Sequence, residues 1–163
     1  MFCLNLSNQL ERVKIGAMEF NQKQLKILEK TCEKYQVVLM YLFGSRAQGR
    51  VTPLSDYDFA ILFDRQIDKK QRFDYALLVA GELSLLLNSN HIDVAVLNDA
   101  TPLLKYQAVF SGQLLFEEDL ATRVFFENYV MKEYEDNKHF LQESLNGLTQ
   151  RIKNNTFGQP IKV

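Results

Sequence analysis

The chain has 163 residues, of which 47% are hydrophobic and 24% are charged. This size and composition predict one globular domain with a sizeable core. The formal net charge of −1, from 19 basic and 20 acidic residues, excludes a general coat of positive charge, so direct nucleic-acid binding is not expected.

The two cysteines, Cys3 and Cys32, are too few for a disulfide scaffold and lack the spacing of a metal site. The first residues lack the basic opening and apolar run of a secretory signal. No apolar run reaches the roughly 18 residues that a membrane helix needs. We therefore expect a cytoplasmic protein with reduced cysteines and no membrane partner.

Apolar spacing along the chain predicts a small α/β (α+β) domain with a mixed sheet of about three to five strands and four or five helices. We expect a loose arm over 1–18, a single domain over 19–153 that ends in a long helix, and a tail over 154–163. The predicted helices cover 21–35, 45–49, 73–87, 102–110 and 119–153, and the predicted strands cover 37–43, 56–63, 91–97 and 113–117. In the last helix a leucine-rich seam, expected to be mostly core with part left to dock a partner, comprises Leu141, Leu145, Leu148 and Ile152.

Two acidic residues open the second predicted strand, in the segment YLFGSRAQGRVTPLSDYDFAI over 41–61. Because side chains alternate along a strand, Asp56 and Asp58 project from one face and Tyr57 from the other, where we expect it to pack under the sheet. Two carboxylates this close repel each other unless a cation lies between them. Mg²⁺ suits a site with few carboxylates and substrate phosphates.

Gly44 and Ser45 follow the first predicted strand directly. Their backbone N–H groups and the serine hydroxyl could hold a triphosphate. Arg46 is either a further phosphate contact or a surface arginine. A phosphate-binding turn beside metal ligands predicts phosphoryl or nucleotidyl transfer.

A third acid, Asp93, lies inside a later apolar strand, where an unpaired carboxylate is costly. If this strand neighbours the first acidic pair, three carboxylates meet at one edge of the sheet and could hold two metal ions about an α-phosphate. Asp56 and Asp58 would then bind metal, and Asp93 would complete a metal site and help to draw a proton from the attacking hydroxyl. His91 and His139 have no partner at a recognisable spacing, which predicts that neither is a ligand or a base.

The string Gly44-Ser45, ten residues and then Asp56-Tyr57-Asp58 resembles the G-S-x(10)-D-x-D signature of the DNA polymerase β-like nucleotidyltransferases. The fuller string GSRAQG, the short length and the single late Asp93 resemble the minimal nucleotidyltransferase (MNT) family. This resemblance implies that Gly44 and Ser45 contact the β- and γ-phosphates and that the three acids form the catalytic and Mg²⁺ site. Many family members are antitoxins that act beside an HEPN-domain ribonuclease toxin. Gln48 stands where the family most often has arginine, which removes one possible cationic contact.

The resemblance also implies the reaction: AMP is transferred from ATP to a tyrosine of a cognate HEPN toxin, which neutralises the toxin. One alternative is nucleotidyl transfer to an aminoglycoside or another small hydroxyl compound, although such enzymes generally add a larger carboxy-terminal domain. A second alternative is a binding antitoxin without catalysis. The intact Ser45, Asp56, Asp58 and Asp93 favour an active enzyme over this second alternative.

Overall fold

The computed structural model describes residues 13–15, 18–50 and 55–153, without the side chains at positions 13–15, 18, 19, 141, 143, 144, 147, 148 and 151. The strands are β1 (Val13–Ile15), β2 (Met18–Phe20), β3 (Val37–Phe43), β4 (Tyr57–Phe63), β5 (Ile92–Val96) and β6 (Gln113–Glu117). The helices are α1 (Gln22–Lys34), α2 (Gly44–Ala47), α3 (Lys69–Leu87), α4 (Pro102–Phe110) and α5 (Leu120–Lys153), with a 3₁₀ turn over Leu97–Asp99.

Four strands form a mixed sheet in the order β5-β4-β3-β6. The central pair β3 and β4 is antiparallel, β6 pairs antiparallel with β3 at one edge, and β5 pairs parallel with β4 at the other. A parallel pair needs a crossover, which α3 supplies between β4 and β5. The predicted fold class, strand number and edge position of β6 are confirmed.

Each face of the sheet carries its own core. The face under α1 and α3 buries side chains such as Met40, Phe59 and Leu83, and the opposite face, under α4, buries others such as Tyr41 and Ala60. Because β3 is covered on both faces, its sequence is a continuous apolar run rather than an alternating one.

Local capping explains where two of the helices begin. Asn21 forms a capping box with Gln24 at the start of α1, with bonds of 2.9 and 3.0 Å. Thr101 caps α4, and Pro102 occupies its first turn, where a missing N–H costs nothing. The boundaries predicted for α4 agree with the structure, and those predicted for β6 do so as well.

Two predicted helices have other bounds in the structure. The helix predicted over 73–87 begins four residues earlier, at Lys69, and the one predicted over 45–49 spans Gly44–Ala47.

Three further predicted segments differ from the structure. β1 lies within the expected amino-terminal arm and pairs antiparallel with β2, which begins at the last residue of that arm, and the other residues of the arm lie outside the described ones. The strand predicted to begin at Asp56 begins at Tyr57. The seam on α5 was predicted to be mostly core, but Leu145 is 61% and Ile152 is 53% exposed. These two members of the seam therefore lie on the surface, and the side chains of Leu141 and Leu148 lie outside the described part of the structure.

The helices in the described part of the chain are all too short or too polar to cross a membrane.

Candidate active site

The turn between β3 and α2 brings backbone against an acidic side chain. Gly44 has φ +72°, a left-handed conformation that glycine adopts at little cost. A Cβ atom on Gly44 would lie 2.9 Å from Cγ of Asp58 and even closer to its Oδ2. Only glycine therefore allows the turn that carries Ser45 to approach this carboxylate.

Asp58 and Asp93 occupy paired positions on the parallel strands β4 and β5. Their neighbours Tyr57 and Ile92 pack on the core under α1 and α3. Since side chains alternate along each strand, both carboxylates project from the other face of the sheet. Asp56 lies just before β4, and its side chain is 59% exposed. The structure thus gathers the three predicted acids at one end of neighbouring strands.

The pKa of Asp58 is raised above its usual value. Partial burial is the largest cause, followed by the negative charges of Asp93 and Asp56, while the positive charge of Arg46 opposes the rise. The three carboxylates lie close enough for the charges of Asp56 and Asp93 to act on Asp58, and this excess of negative charge favours a cation.

His91 is a residue whose role the sequence interpretation missed. Its Nδ1 lies 3.2 Å from Oδ1 of Asp56, and its carbonyl oxygen accepts a 2.8 Å hydrogen bond from the N–H of Tyr57. His91 thus has a partner that its spacing in the sequence did not reveal, while its being neither a metal ligand nor a base stays a prediction. His91 and Asp56 each stand one position before a strand, but only the parallel register, which pairs Tyr57 with Ile92, brings the two side chains together.

The Arg46 guanidinium does not point outward from α2 as a free surface group. Its Nε and Nη2 donate to the carbonyl oxygen of Ser55 at 3.1 and 2.7 Å, and Nε also donates to that of Asp56 at 3.0 Å. Its Cζ lies 3.6 Å from the ring centroid of Tyr57, which is half-buried against the core as predicted. The Arg46 side chain therefore connects α2 to the start of β4.

No three His, Cys, Asp or Glu side chains in the described ranges are arranged to enclose a metal ion by themselves. An ion at this site would therefore share its coordination with other oxygen atoms. Mg²⁺ commonly does so, because it binds through one or two carboxylates together with substrate phosphates and water. The donor chemistry of Asp56, Asp58 and Asp93 fits such an ion.

Residues 26–121, which include the Gly44 turn and all three acids, match the family described as "Polymerase beta, Nucleotidyltransferase". The match covers more than half of the chain. The chain belongs to this nucleotidyltransferase family. The observed mixed sheet, with its acids at the ends of neighbouring strands, is consistent with that membership.

Two curated proteins similar to this nucleotidyltransferase chain are both named protein adenylyltransferase MntA. The one from Aphanizomenon flos-aquae is 33% identical over 85 residues, which is 49% of this chain and 57% of the relative. The one from Shewanella oneidensis is 33% identical over 94 residues, which is 58% of this chain and 63% of the relative. The chain thus spans about three-fifths of the length of these relatives.

Solved structures share the nucleotidyltransferase fold. A toxin–antitoxin crystal structure with AMP-PNP has a TM-score of 0.61 at 24% identity and covers 80% of this chain and 99% of its own. A structure of a tri-AMPylated Shewanella oneidensis HEPN toxin with an MNT antitoxin has a TM-score of 0.56 at 22% identity, covering 78% and 98% of the two chains. At these identities the similarity establishes the fold.

Proposed function

We propose that this protein is an AMP-transferring antitoxin, which moves AMP from ATP to a tyrosine hydroxyl of a cognate HEPN-domain toxin and so neutralises it. The observation that carries the proposal is the pairing of Asp58 with Asp93 beside the Gly44 turn, within a nucleotidyltransferase domain. Support for the protein acceptor comes from the relatives named protein adenylyltransferase and from similar folds solved with HEPN toxins.

In the proposed reaction the tyrosine oxygen attacks the α-phosphorus of ATP. The bond from that phosphorus to the oxygen bridging to the β-phosphorus breaks, and pyrophosphate leaves. Asp93 accepts the hydroxyl proton, because it faces the site from β5 and is exposed to an entering substrate. The Gly44 and Ser45 turn binds the β- and γ-phosphates through N–H groups and the serine hydroxyl.

We further propose that Asp56, Asp58 and Asp93 hold Mg²⁺, as two ions. Bound there, Mg²⁺ would offset the negative charge of the triphosphate and polarise the α-phosphorus. Partial burial is the largest cause of the raised pKa of Asp58, and the negative charges of Asp93 and Asp56 add to it. A cation bound here would relieve that second contribution. The other contribution of the protein is to hold the tyrosine hydroxyl and the α-phosphorus of ATP in position for reaction.

The surface of α5 offers a place for a protein partner. Val130 is fully buried against the domain, and the seam that begins eleven residues later continues the same helical face beyond the sheet. Its described members, Leu145 and Ile152, are exposed. Exposed large apolar side chains that recur on one side of a helix are candidates for an interaction site, so we propose that the toxin contacts this end of α5.

The reaction is tested with purified protein, Mg²⁺, α-labelled ATP and the HEPN-domain product of an adjacent gene. Label should appear on a tyrosine of that product, as located by peptide mass spectrometry. It should be lost with Asp58→Asn and fall about 100-fold or more with Asp93→Asn. Asp64→Asn, which alters an acid after the other end of β4, is the matched control and should leave labelling unchanged.

Other results would contradict the proposal. A tight complex without label under any nucleoside triphosphate would indicate a binding antitoxin. Label on a kanamycin-like compound in place of the protein would indicate a small-molecule enzyme. Faster labelling from GTP, CTP or UTP would contradict ATP as the substrate.

The docking surface is tested separately, by measuring toxin affinity with Leu145→Asp and Ile152→Asp. Each should weaken the complex at least tenfold without lowering the melting temperature, because neither side chain is buried. Gln150→Asp adds the same charge at an exposed polar position of α5 and should have little effect. Equal affinities for all three variants would exclude this end of the helix as the contact.

A further inference from the structure

Asp56 lies outside the hydrogen-bonded ladder of the sheet. The parallel pairing of β4 with β5 begins at Tyr57, and the antiparallel pairing with β3 extends only to Asp58. The ladder alone therefore does not fix the backbone of Asp56. A metal ligand held within a fraction of an ångström needs further support from neighbouring groups.

The Arg46 side chain supplies such support. It donates to the carbonyl oxygen of Asp56 and twice to that of Ser55, so it holds the two residues that lead into β4. These are charge-assisted bonds from a planar donor group, which are stronger and more directional than neutral ones. Arg46 follows Ser45 directly, and the phosphate-binding turn and the acidic strand are thereby joined through one side chain.

The Tyr57 ring stacks against one face of the Arg46 guanidinium. Its centroid lies 3.6 Å from Cζ of Arg46, within the range of a cation–π interaction, and its own position is set by packing on the core under α3. The N–H of Tyr57 is also bonded to His91. Arg46 thus rests on a side chain that the sheet and the core both hold in place.

We propose that Arg46 and Tyr57 form a clamp that positions Asp56 for metal binding, and that Arg46 is a positioning residue and not a contact for the triphosphate. This inference rests on the proposed nucleotidyltransferase site. It assigns a role to Tyr57, the residue between the two acids, and it replaces both sequence-based interpretations of Arg46, as a phosphate contact and as a surface arginine. Its Nε and Nη2 already donate to the carbonyl oxygens of Ser55 and Asp56, and one face of the guanidinium already stacks on the Tyr57 ring.

A clamp and a phosphate contact predict different effects of Arg46 variants on the Mg²⁺ dependence of AMP-PNP affinity. Isothermal titration calorimetry measures that affinity. If Arg46 is a clamp, Arg46→Gln and Tyr57→Leu should each raise the Mg²⁺ concentration for half-maximal AMP-PNP binding by ~10-fold or more, as loss of a group supporting a metal ligand typically does. Affinity for AMP-PNP in EDTA should change less than about twofold. The double variant should be no worse than either single variant, because both remove the same clamp.

Two conservative variants sharpen the test. Arg46→Lys should fail to restore Mg²⁺ dependence, because an ammonium group cannot make the three bonds and the stack, whereas lysine would serve as a phosphate contact. Tyr57→Phe keeps the ring and should retain native Mg²⁺ dependence. Arg65→Gln removes a positive charge from an exposed turn after β4 and is the charge control. Melting temperatures of all variants establish that they fold.

The clamp is overturned if Arg46→Gln weakens AMP-PNP binding in EDTA tenfold, if Arg46→Lys behaves as the native protein, or if Tyr57→Leu has no effect. AMP transfer is measured separately on the native protein. Absence of transfer together with the expected Mg²⁺ shifts would contradict the proposed function and leave the clamp standing. Normal AMP transfer by the native protein, together with unchanged Mg²⁺ dependence of AMP-PNP binding in the variants, would overturn the clamp and leave the proposed function standing.

Discussion

Gly44 lies directly against the Asp58 carboxylate, so that a single added methyl group would overlap it. The contact joins the end of β3 to the start of β4 at the point where the proposed triphosphate and metal sites meet. It explains why a residue without a side chain precedes Ser45. The same contact also makes Gly44 the most sensitive backbone position of the site.

Gly44→Ala should lower stability and abolish nucleotide binding. Alanine at φ +72° costs roughly 1 kcal/mol by itself, and displacement of Asp58 adds to that cost. Gly49→Ala is the matched control, because Gly49 has the same φ and no described atom lies within 4 Å of a Cβ placed there. Urea unfolding should show the larger loss for Gly44→Ala. Equal losses for the two variants would mean that the contact with Asp58 is absent.

Asp58→Asn should stabilise the protein in metal-free buffer while abolishing AMP transfer. The folded-state pKa of Asp58 lies above its unfolded value, so the charged group opposes folding at neutral pH, and stability should rise as the pH falls through that raised pKa. Because the group is largely solvated, the gain at pH 7 should be only about 0.5 kcal/mol. Thermal unfolding in EDTA at pH values from 7 to 4 measures both the gain in stability of Asp58→Asn at pH 7 and the rise in stability of the native protein as the pH falls.

The variant should also lose the extra stability that the native protein gains near pH 4. A lower melting temperature for Asp58→Asn in EDTA would show that the carboxylate is not crowded by Asp56 and Asp93. Asp56→Ala is a weaker test of the same repulsion, because it also removes the contact with His91.

Glu133→Ala should destabilise the packing of α5 on α4. Lys105 is 6% exposed, and its ammonium group lies 2.9 Å from Oε2 of Glu133, whose other oxygen accepts a 3.0 Å bond from the Tyr129 hydroxyl. Removal of the carboxylate leaves a buried charge without its partner, at a cost of about 2 kcal/mol or more. Chemical denaturation measures the loss.

Glu135→Ala is the control for that experiment. Glu135 pairs with Lys138 on the exposed surface of the same helix, and its removal should change stability by less than about 0.5 kcal/mol. If the two variants were equally stable, the Lys105 pair would not hold α4 to α5.

Cys32 should be unreactive in the folded protein. Burial raises the pKa of its thiol to about 12, with smaller contributions from Glu33 and Glu29. The folded state therefore retains this proton above pH 9, where the unfolded thiol loses it, so the thiol makes stability fall as pH rises above 9. The slope should approach ~1.4 kcal/mol per pH unit and should be absent from Cys32→Ala.

A Cys3→Ser background leaves Cys32 as the single thiol for this measurement. Ellman's reagent at pH 8 should label it only at the rate of unfolding. Rapid labelling of the folded protein would show that the thiol is accessible.

Local pattern was sufficient to predict most of the secondary structure. The apolar run of β3, the proline that starts α4 and the alternation around Tyr57 depend on neighbours in the sequence, and each is found in the structure. The seam on α5 shows where that reasoning fails. The spacing of Leu145 and Ile152 indicates an apolar face, but only the rest of the molecule determines what, if anything, covers it.

Sequence patterns identify which residues could form the site: a glycine turn, Ser45, and the acids at 56, 58 and 93. Tertiary structure alone decided which of them meet. The pairing of Asp58 with Asp93 depends on a parallel register between strands separated by α3, and so does the contact of His91 with Asp56. The contacts of Arg46 depend on the antiparallel pairing of β3 with β4. Hydrophobic periodicity specifies which face a side chain occupies, but relative strand order and register are set by packing between segments distant in the chain.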